Sequence, residues 1–158
     1  MVTARSVPGC VALEVQIAVP PERVWRVLTT PEGQSQFVPG AQRVEFEARL
    51  GGAFEWSGIV EAGGRYTMRG SVMEFDPPHL LVLAWEWQNS GLPETVVRFT
   101  LEPIPSGTRV SLLHSGFPSQ FERARNLNQF HWSSALDALM RSAEGDQPAV
   151  LPPASGAR

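Results

Sequence analysis

Two side chains in this sequence have the chemistry of a general acid or base and lie where a strand pattern would bury them. His114 ends the alternating apolar face of Val110 and Leu112, and Glu74 would share the apolar face of the central hairpin. A histidine or a desolvated carboxyl group beside a substrate carbonyl can transfer a proton. We favour a hydrogen-bonded structural histidine at a strand end and a solvated carboxylate at the sheet end over these catalytic roles, so the catalytic residues stay unknown.

Composition excludes several other kinds of chemistry. The 13 basic residues are all arginine, so no lysine can form a Schiff base or hold a phosphate loop. Cys10 is the single cysteine, which excludes an intrachain disulfide and a cysteine metal cluster. His79, His114 and His131 fall on separate predicted elements and lack the spacing of metal ligands. We therefore expect no metal and no cofactor.

Charge and length indicate a single domain without a nucleic-acid partner. The chain has 158 residues and a net charge of -3, which does not favour nucleic acid or an acidic membrane. No apolar run approaches the roughly 18 residues of a membrane span, and the N-terminal residues lack a signal-peptide pattern. We expect a cytoplasmic protein with its domain at residues 10–143 and flexible tails at 1–9 and 144–158.

A central hairpin organises the predicted elements. Residues 66–75 and 80–87 read as two strands joined by the turn Asp76-Pro77-Pro78-His79, because prolines do not fit a central ladder and Asp favours turns. A symmetric turn pairs Phe75 with Leu80 and Gly70 with Trp85. The glycine would leave room for the indole. A bulge would shift this register by one residue and reverse the faces.

The rest of the chain predicts an α+β fold. Residues 11–19 alternate as a strand, two short helices follow from Pro21 and Thr30, and further strands lead to a long helix at 120–143. We expect a curved antiparallel sheet of about six or seven strands wrapped around the long C-terminal helix, with the two short helices after strand 1. Such a sheet often leaves a hollow under its helix, which suits an apolar ligand.

Aromatic side chains concentrate on the face that would line this hollow. They could stack on a flat apolar ligand, or they could simply fill the core. The single tyrosine could offer a hydroxyl group to a ligand. The predicted ligand-binding residues are Trp56, Tyr66, Met68, Trp85, Trp87, Phe99, His114 and Trp132.

The sequence resembles the START-like, Bet v 1-like (SRPBCC) helix-grip superfamily, and within it the bacterial branch similar to the C-terminal domain of the activator of Hsp90 ATPase. The resemblance lies in PPERVWRVLTTPE (20–32), RLGGAF (49–54), GSVMEFDPPHLLVLAWEW (70–87), FTLEPIPSGTRVSLLHSGF (99–117) and HWSSALDAL (131–139). It implies the helix-grip fold. Where the family helix usually carries Gly-Trp, this chain has His131-Trp132, and the larger side chain would narrow a pocket there.

Three functions are compatible with these residues. The first is binding of a small hydrophobic molecule, without a complete catalytic set. The second, which the resemblance implies, is an enzyme of the polyketide cyclase or hydrolase kind that uses a cavity His or Glu. The third is a protein-interaction module by analogy with the Hsp90 activator, with a protein partner or a homodimer. We rank ligand binding first, and enzyme activity is uncertain.

Overall fold

The computed structural model describes residues 1–60 and 64–145, which form an eight-stranded antiparallel sheet and three α-helices. The strands are β1 (Thr3–Arg5), β2 (Val11–Ile17), β3 (Ala41–Phe46), β4 (Ala53–Val60), β5 (Gly64–Asp76), β6 (Leu80–Trp87), β7 (Thr95–Ile104) and β8 (Gly107–Ser115). The helices are α1 (Pro21–Thr29), α2 (Pro31–Phe37) and α3 (Glu122–Gly145), and a 3-10 turn (Ser119–Phe121) precedes α3.

The sheet curves around α3, so the predicted α+β helix-grip architecture is confirmed with one strand more than expected. The strand order is β1-β2-β8-β7-β6-β5-β4-β3. Strands β3 to β8 therefore follow one another as a meander, while β2 joins at the β8 edge. The helix α3 packs on β2, α1 and α2, and it buries Leu136 and Leu139 against the sheet.

The additional strand is β1, which pairs with β2 so that Thr3 lies opposite Glu14 and Arg5 opposite Ala12. Sequence analysis put residues 1–9 in a tail. The segment Thr3–Arg5 is short and exposed throughout, so it has no alternation of apolar and polar residues from which a strand could be predicted. Residues 146–158 of the predicted C-terminal tail lie outside the described residues.

Local signals place the two short helices. Pro21 stands at the start of α1, where its fixed φ suits the first turn. Thr30 caps α2 by accepting a hydrogen bond from the backbone N–H of Gly33 at 3.1 Å. These helices close one end of the sheet and bring the residues after α2 next to β4.

The central hairpin keeps the predicted register for most of its length and then shifts at a bulge. Gly70 lies opposite Trp85, as predicted, but past Val72 the pairing shifts so that Phe75 lies opposite Leu81. The predicted pairing of Phe75 with Leu80 is therefore wrong. The bulge at Met73 turns Phe75 inward, where its ring lies 5.5 Å from that of Trp25. Glu74 is exposed, as the favoured interpretation of a solvated carboxylate predicted, although the predicted register had put it on the cavity face.

Gly70 serves a different purpose from the one expected. It lies between Phe54 on β4 and Trp85 on β6, and the rings of those two residues meet with centroids 5.8 Å apart. A Cβ atom at Gly70 would lie 1.8 Å from the carbonyl oxygen of Ala84 and 2.6 Å from the Phe54 ring. The missing side chain therefore allows close packing of Phe54 and the β6 backbone.

We expect Gly70→Ala to lower the free energy of unfolding by about 2 kcal/mol, because the new methyl group overlaps backbone and ring atoms that cannot both move away. Urea denaturation measures this loss. Gly145→Ala is the matched control, since a Cβ atom there meets no atom within 4 Å. Equal stability of the two variants would contradict the packing role of Gly70.

Candidate ligand-binding cavity

A cavity of about 200 Å³ lies between α3 and strands β4, β5 and β6. The residues after α2 close one end of it. Most of its wall is apolar, and much of that is aromatic. The lining residues are Phe37, Val38, Pro39, Trp56, Val60, Gly64, Arg65, Tyr66, Met68, Trp85, Trp87, Leu127, Asn128, His131, Trp132 and Ala135. We call this space the aromatic cavity.

Six of the eight predicted ligand-binding residues line the aromatic cavity: Trp56, Tyr66, Met68, Trp85, Trp87 and Trp132. Phe99 and His114 do not. Both contact the Trp132 ring, Phe99 edge-on at 5.6 Å and His114 through a hydrogen bond. Both are almost fully buried, and they support the cavity wall from behind.

The wall is built around the Trp85 ring. Its centroid lies 5.1 Å from that of Trp56, with the two planes at 82°, and 5.1 Å from that of Trp132. Edge-to-face contacts are favourable for aromatic rings.

The Trp56 ring is fixed by a buried amide on α2. Trp56 Nε1 donates to Gln34 Oε1 at 2.8 Å, and Gln34 Nε2 donates to the Leu28 carbonyl at 2.8 Å. Gln34 has no exposed surface. Sequence analysis missed this residue, because a glutamine in a short helix carries no pattern that distinguishes a buried position from an exposed one.

A chain of hydrogen bonds ties α3 to the sheet behind the cavity. Trp132 Nε1 donates to His114 Nδ1 at 3.0 Å, His114 Nε2 lies 2.7 Å from Thr95 Oγ1, and Thr95 Oγ1 donates to the Trp85 carbonyl at 3.3 Å. The indole can only donate, so His114 Nδ1 is the acceptor and the proton of the neutral ring is on Nε2. Both ring nitrogens therefore have partners.

His114 thus has the structural role that the sequence left open beside the catalytic one. Burial lowers the pKa of His114 from 6.5 to about 3, because removing the ring from water penalises the charged imidazolium. A ring that is neutral and bonded at both nitrogens has no free lone pair with which to take a proton from a ligand.

The remaining polar groups lie at the ends of the cavity. The Tyr66 hydroxyl donates to the Pro39 carbonyl, and burial raises the pKa of Tyr66 to about 12. Its proton therefore joins β5 to the segment after α2 and is not free for a ligand. Asn128 Nδ2 donates to the Ala124 carbonyl at 2.8 Å within α3.

His131 contributes to the lining, in line with the expectation that a residue larger than glycine narrows the pocket here. Burial lowers the pKa of His131. Leu127 lies one turn before it, and although it is 56% exposed it also lines the cavity. The mouth of the cavity therefore lies beside this turn of α3.

A second, larger space of about 620 Å³ lies between residues 4–9 and the start of α3. Its lining is mostly exposed and polar, with Arg5, Ser6, Glu122 and Asn126 among it. It has the character of a surface groove. Within 1–60 and 64–145, His, Cys, Asp and Glu side chains form no group of three that could hold a metal ion.

Comparison with protein-family models identifies one family. A model of the family described as Activator of Hsp90 ATPase homolog 1-like protein matches residues 18–144. A search of curated proteins found no match. None of the helices described is long and apolar enough to cross a membrane.

Solved structures from several bacteria have the same fold. A protein from Chromobacterium violaceum is 26% identical, with a TM-score of 0.79 over 89% of this chain and 100% of its own. One from Mesorhizobium loti is 27% identical, with a TM-score of 0.75 over 87% and 98%. The AHSA1 protein from Silicibacter pomeroyi is 22% identical, with a TM-score of 0.76 over 87% and 99%, and shows likeness of fold alone.

The pKa of His114 predicts a pH-dependent stability. In the unfolded chain the imidazole takes up a proton near pH 6.5, whereas in the folded protein it stays neutral to about pH 3. The stabilisation is therefore complete above pH 6.5 and is lost as the pH falls from 6.5 to 3, by up to about 1.4 kcal/mol per pH unit. His114→Gln keeps a hydrogen-bond acceptor and a donor but does not titrate. The contribution of residue 114 to the slope of the unfolding free energy against pH therefore disappears.

Urea denaturation at several pH values between 4 and 7 measures the two slopes. His79→Gln is the matched control, because it removes an exposed histidine from the turn before β6 and should leave the slope unchanged. The structural assignment of His114 is wrong if the His114→Gln protein loses stability with falling pH as steeply as the wild type.

Proposed function

Because the chain belongs to the family of Activator of Hsp90 ATPase homolog 1-like proteins, we propose that it binds a small hydrophobic molecule in the aromatic cavity. The observation that carries the proposal is the cavity itself, a space of about 200 Å³ walled by Trp56, Trp85, Trp87 and Trp132. Binding sites for small molecules are commonly concave and lined by aromatic side chains with a few polar groups.

The size of the cavity limits the ligand. An engineered protein cavity of about 150 Å³ lined by apolar side chains stays dry and binds benzene. The aromatic cavity is somewhat larger, so a ligand with one ring or two fused rings fits it. A long acyl chain or a sterol would require part of α3 to move.

We propose a binding protein in preference to an enzyme, because the described lining holds one histidine, His131, and no carboxylate to complete a catalytic set. The two side chains first considered for proton transfer do not face the cavity. The nitrogens of His114 are both hydrogen-bonded behind the wall, and Glu74 is exposed beyond the bulge in β5. A cyclase or hydrolase would need such a group within hydrogen-bonding distance of a bound carbonyl.

The protein-interaction alternative has less support. A filled core with an exposed apolar patch would favour it, whereas the space under α3 favours a ligand. Leu127 and Phe130 are exposed on α3, and Leu127 lines the cavity. We propose that they form the entry for an apolar ligand.

A cytoplasmic location is also part of the proposal, and the free thiol of Cys10 is compatible with a reducing compartment.

Native mass spectrometry of protein purified from its own host, followed by analysis after denaturation, would identify a co-purifying ligand. We expect a mass increment of a small apolar compound that is lost on denaturation. Protein that is empty from every growth condition, and that also fails to bind the probe described next, would overturn the proposal.

We expect Ala135→Leu to weaken binding of indane, a bicyclic hydrocarbon, by about tenfold or more, because the larger side chain occupies the space of the ligand. Ala135 lines the cavity from α3 and is 5% exposed. Tryptophan fluorescence titration measures the affinity, and circular dichroism checks the fold. Ser134→Leu, which adds the same side chain at the preceding exposed position, should bind indane like the wild type. Unchanged affinity in Ala135→Leu would place the ligand elsewhere.

A further inference from the structure

The lining of the aromatic cavity includes a nearly buried amide, the side chain of Asn128 on α3. Asn128 is 4% exposed, and its Nδ2 donates to the Ala124 carbonyl at 2.8 Å. A carbonyl oxygen can only accept a hydrogen bond, so the amide nitrogen has to face it and Oδ1 lies on the other side of the amide group. The backbone of α3 therefore fixes the orientation of this side chain.

The amide oxygen of Asn128 has no partner among the described residues, yet it can be reached from the cavity. The bond to Ala124 is the side-chain hydrogen bond of Asn128 there, and it uses the nitrogen. In the described part of the chain, no side-chain oxygen of a buried or half-buried residue is both sealed from water and unpaired, so Oδ1 keeps accessible surface. Asn128 lines the aromatic cavity and does not line the surface groove near the start of α3. The accessible oxygen therefore opens into the aromatic cavity.

The polar groups of the wall cannot satisfy this oxygen. A buried acceptor without a hydrogen bond is costly, and native proteins contain few of them. The indole hydrogens of Trp56 and Trp132 and the hydroxyl hydrogen of Tyr66 are already used in bonds within the protein. Trp85 Nε1 donates to no described residue. A donor for Asn128 Oδ1 therefore has to come from the contents of the cavity.

We propose that the ligand of the aromatic cavity carries a neutral hydroxyl group, which donates a hydrogen bond to Asn128 Oδ1. The ligand is then a phenol or a benzylic alcohol with one or two rings, and not a pure hydrocarbon. This inference rests on the proposed function, since it assigns a chemical class to the molecule bound in the same cavity.

The surroundings of Asn128 favour a neutral hydroxyl group over a charged amine. The described lining holds Arg65 but no Asp or Glu, so an ammonium group would be buried without a counter-ion. His131 lines the cavity one turn further along α3 and makes no hydrogen bond to a described residue. Burial lowers its pKa below 6.5, so the ring is neutral at pH 7 and has one N–H to donate.

The spacing of Asn128 and His131 suits a group that both donates and accepts. Residues three apart on a helix have Cβ atoms about 5–6 Å from each other on the same face. A hydroxyl group between the two side chains can donate to Asn128 Oδ1 and accept from the imidazole N–H of His131 at once.

A matched pair of probes tests this class of ligand. Indane and 5-indanol have the same ring skeleton and differ by one hydroxyl group. We expect Asn128→Leu, which keeps a side chain of similar size but removes the acceptor, to weaken 5-indanol binding about fivefold more than indane binding, as the loss of one hydrogen bond implies. Isothermal titration calorimetry measures the affinities. Comparing the two probes within each variant cancels the effect of an altered cavity shape.

Asn126→Leu is the matched control, because it makes the same change at an exposed position of α3 that does not line the aromatic cavity. It should leave the ratio of the two affinities unchanged. 5-Methoxyindane is the control for the probe, since it keeps the oxygen but has no hydrogen to donate. Its affinity relative to indane should be the same in wild type and Asn128→Leu, and a fivefold loss there would contradict donation by the ligand.

A measurement on the wild-type protein does not depend on the folding of a variant. In 15N-labelled protein, binding of 5-indanol should shift the side-chain amide nitrogen resonance of Asn128 downfield from its position in the indane complex. The shift reports a hydrogen bond accepted by the oxygen of the same amide group.

The outcomes separate the two proposals. If both probes bind but the ratio is the same in wild type and Asn128→Leu, or the Asn128 resonance responds alike to both, water satisfies the oxygen. The hydroxyl inference is then wrong and the cavity remains a ligand site. If neither probe binds the wild-type protein, the proposed function fails together with it. A lower ratio in Asn128→Leu alone, with the selective shift, supports both.

Discussion

The hydrogen bond from the Trp132 indole to the His114 imidazole is the interaction on which the helix and the cavity both depend. It joins α3 to β8, and through Thr95 it continues to the backbone of β6, so one buried polar chain sets the distance between helix and sheet. Apolar contacts alone would let α3 settle closer to the sheet or slide along it, because they have no preferred direction. A polar chain with every member satisfied specifies one arrangement. The Trp132 ring that this arrangement holds in place lines the aromatic cavity together with Trp85.

The same polar chain explains why the protein can have a cavity and a stable core together. Behind the wall, Phe99, His114 and the apolar residues of β2, β7 and β8 are packed almost without exposure. In front of it, the rings of Trp56, Trp85 and Trp132 line the aromatic cavity. The division follows the length of α3: its middle part, from Leu127 to Ala135, borders the cavity, while Leu136, Leu139 and Ala143, nearer its C-terminus, pack in the core. One helix therefore serves both as cover and as core.

The sequence predicted the elements better than it predicted which side chains would reach the cavity. Alternation along β2 and helical spacing in α3 specify their structures directly, and the opposed positions of Gly70 and Trp85 correctly set most of the central hairpin. The bulge at Met73 depends on how β5 fits both of its neighbours, which local pattern does not encode, so the predicted register put Glu74 on the cavity face and paired Phe75 with the wrong residue. Alternation along their strands places Phe99 and His114 on the inner face of the sheet, as cavity residues would be. The Trp132 ring covers them, however, and only the tertiary arrangement shows this. Gln34 and the short strand β1 had no sequence signal at all.

The position of α3 after all the strands has a consequence for how the chain is made. Domains begin to organise while synthesis proceeds from the N-terminus, and here β4, β5 and β6 emerge long before the helix that covers them. Likewise, β2 cannot join the rest of the sheet until β8, the strand that connects it to the others, has been synthesised. Throughout that interval the faces of Trp56 and Trp85 are open to water and to any apolar molecule nearby. A ribosome that stalls before residue 132 would leave a nascent chain with an uncovered aromatic surface, and such a surface is what chaperones recognise.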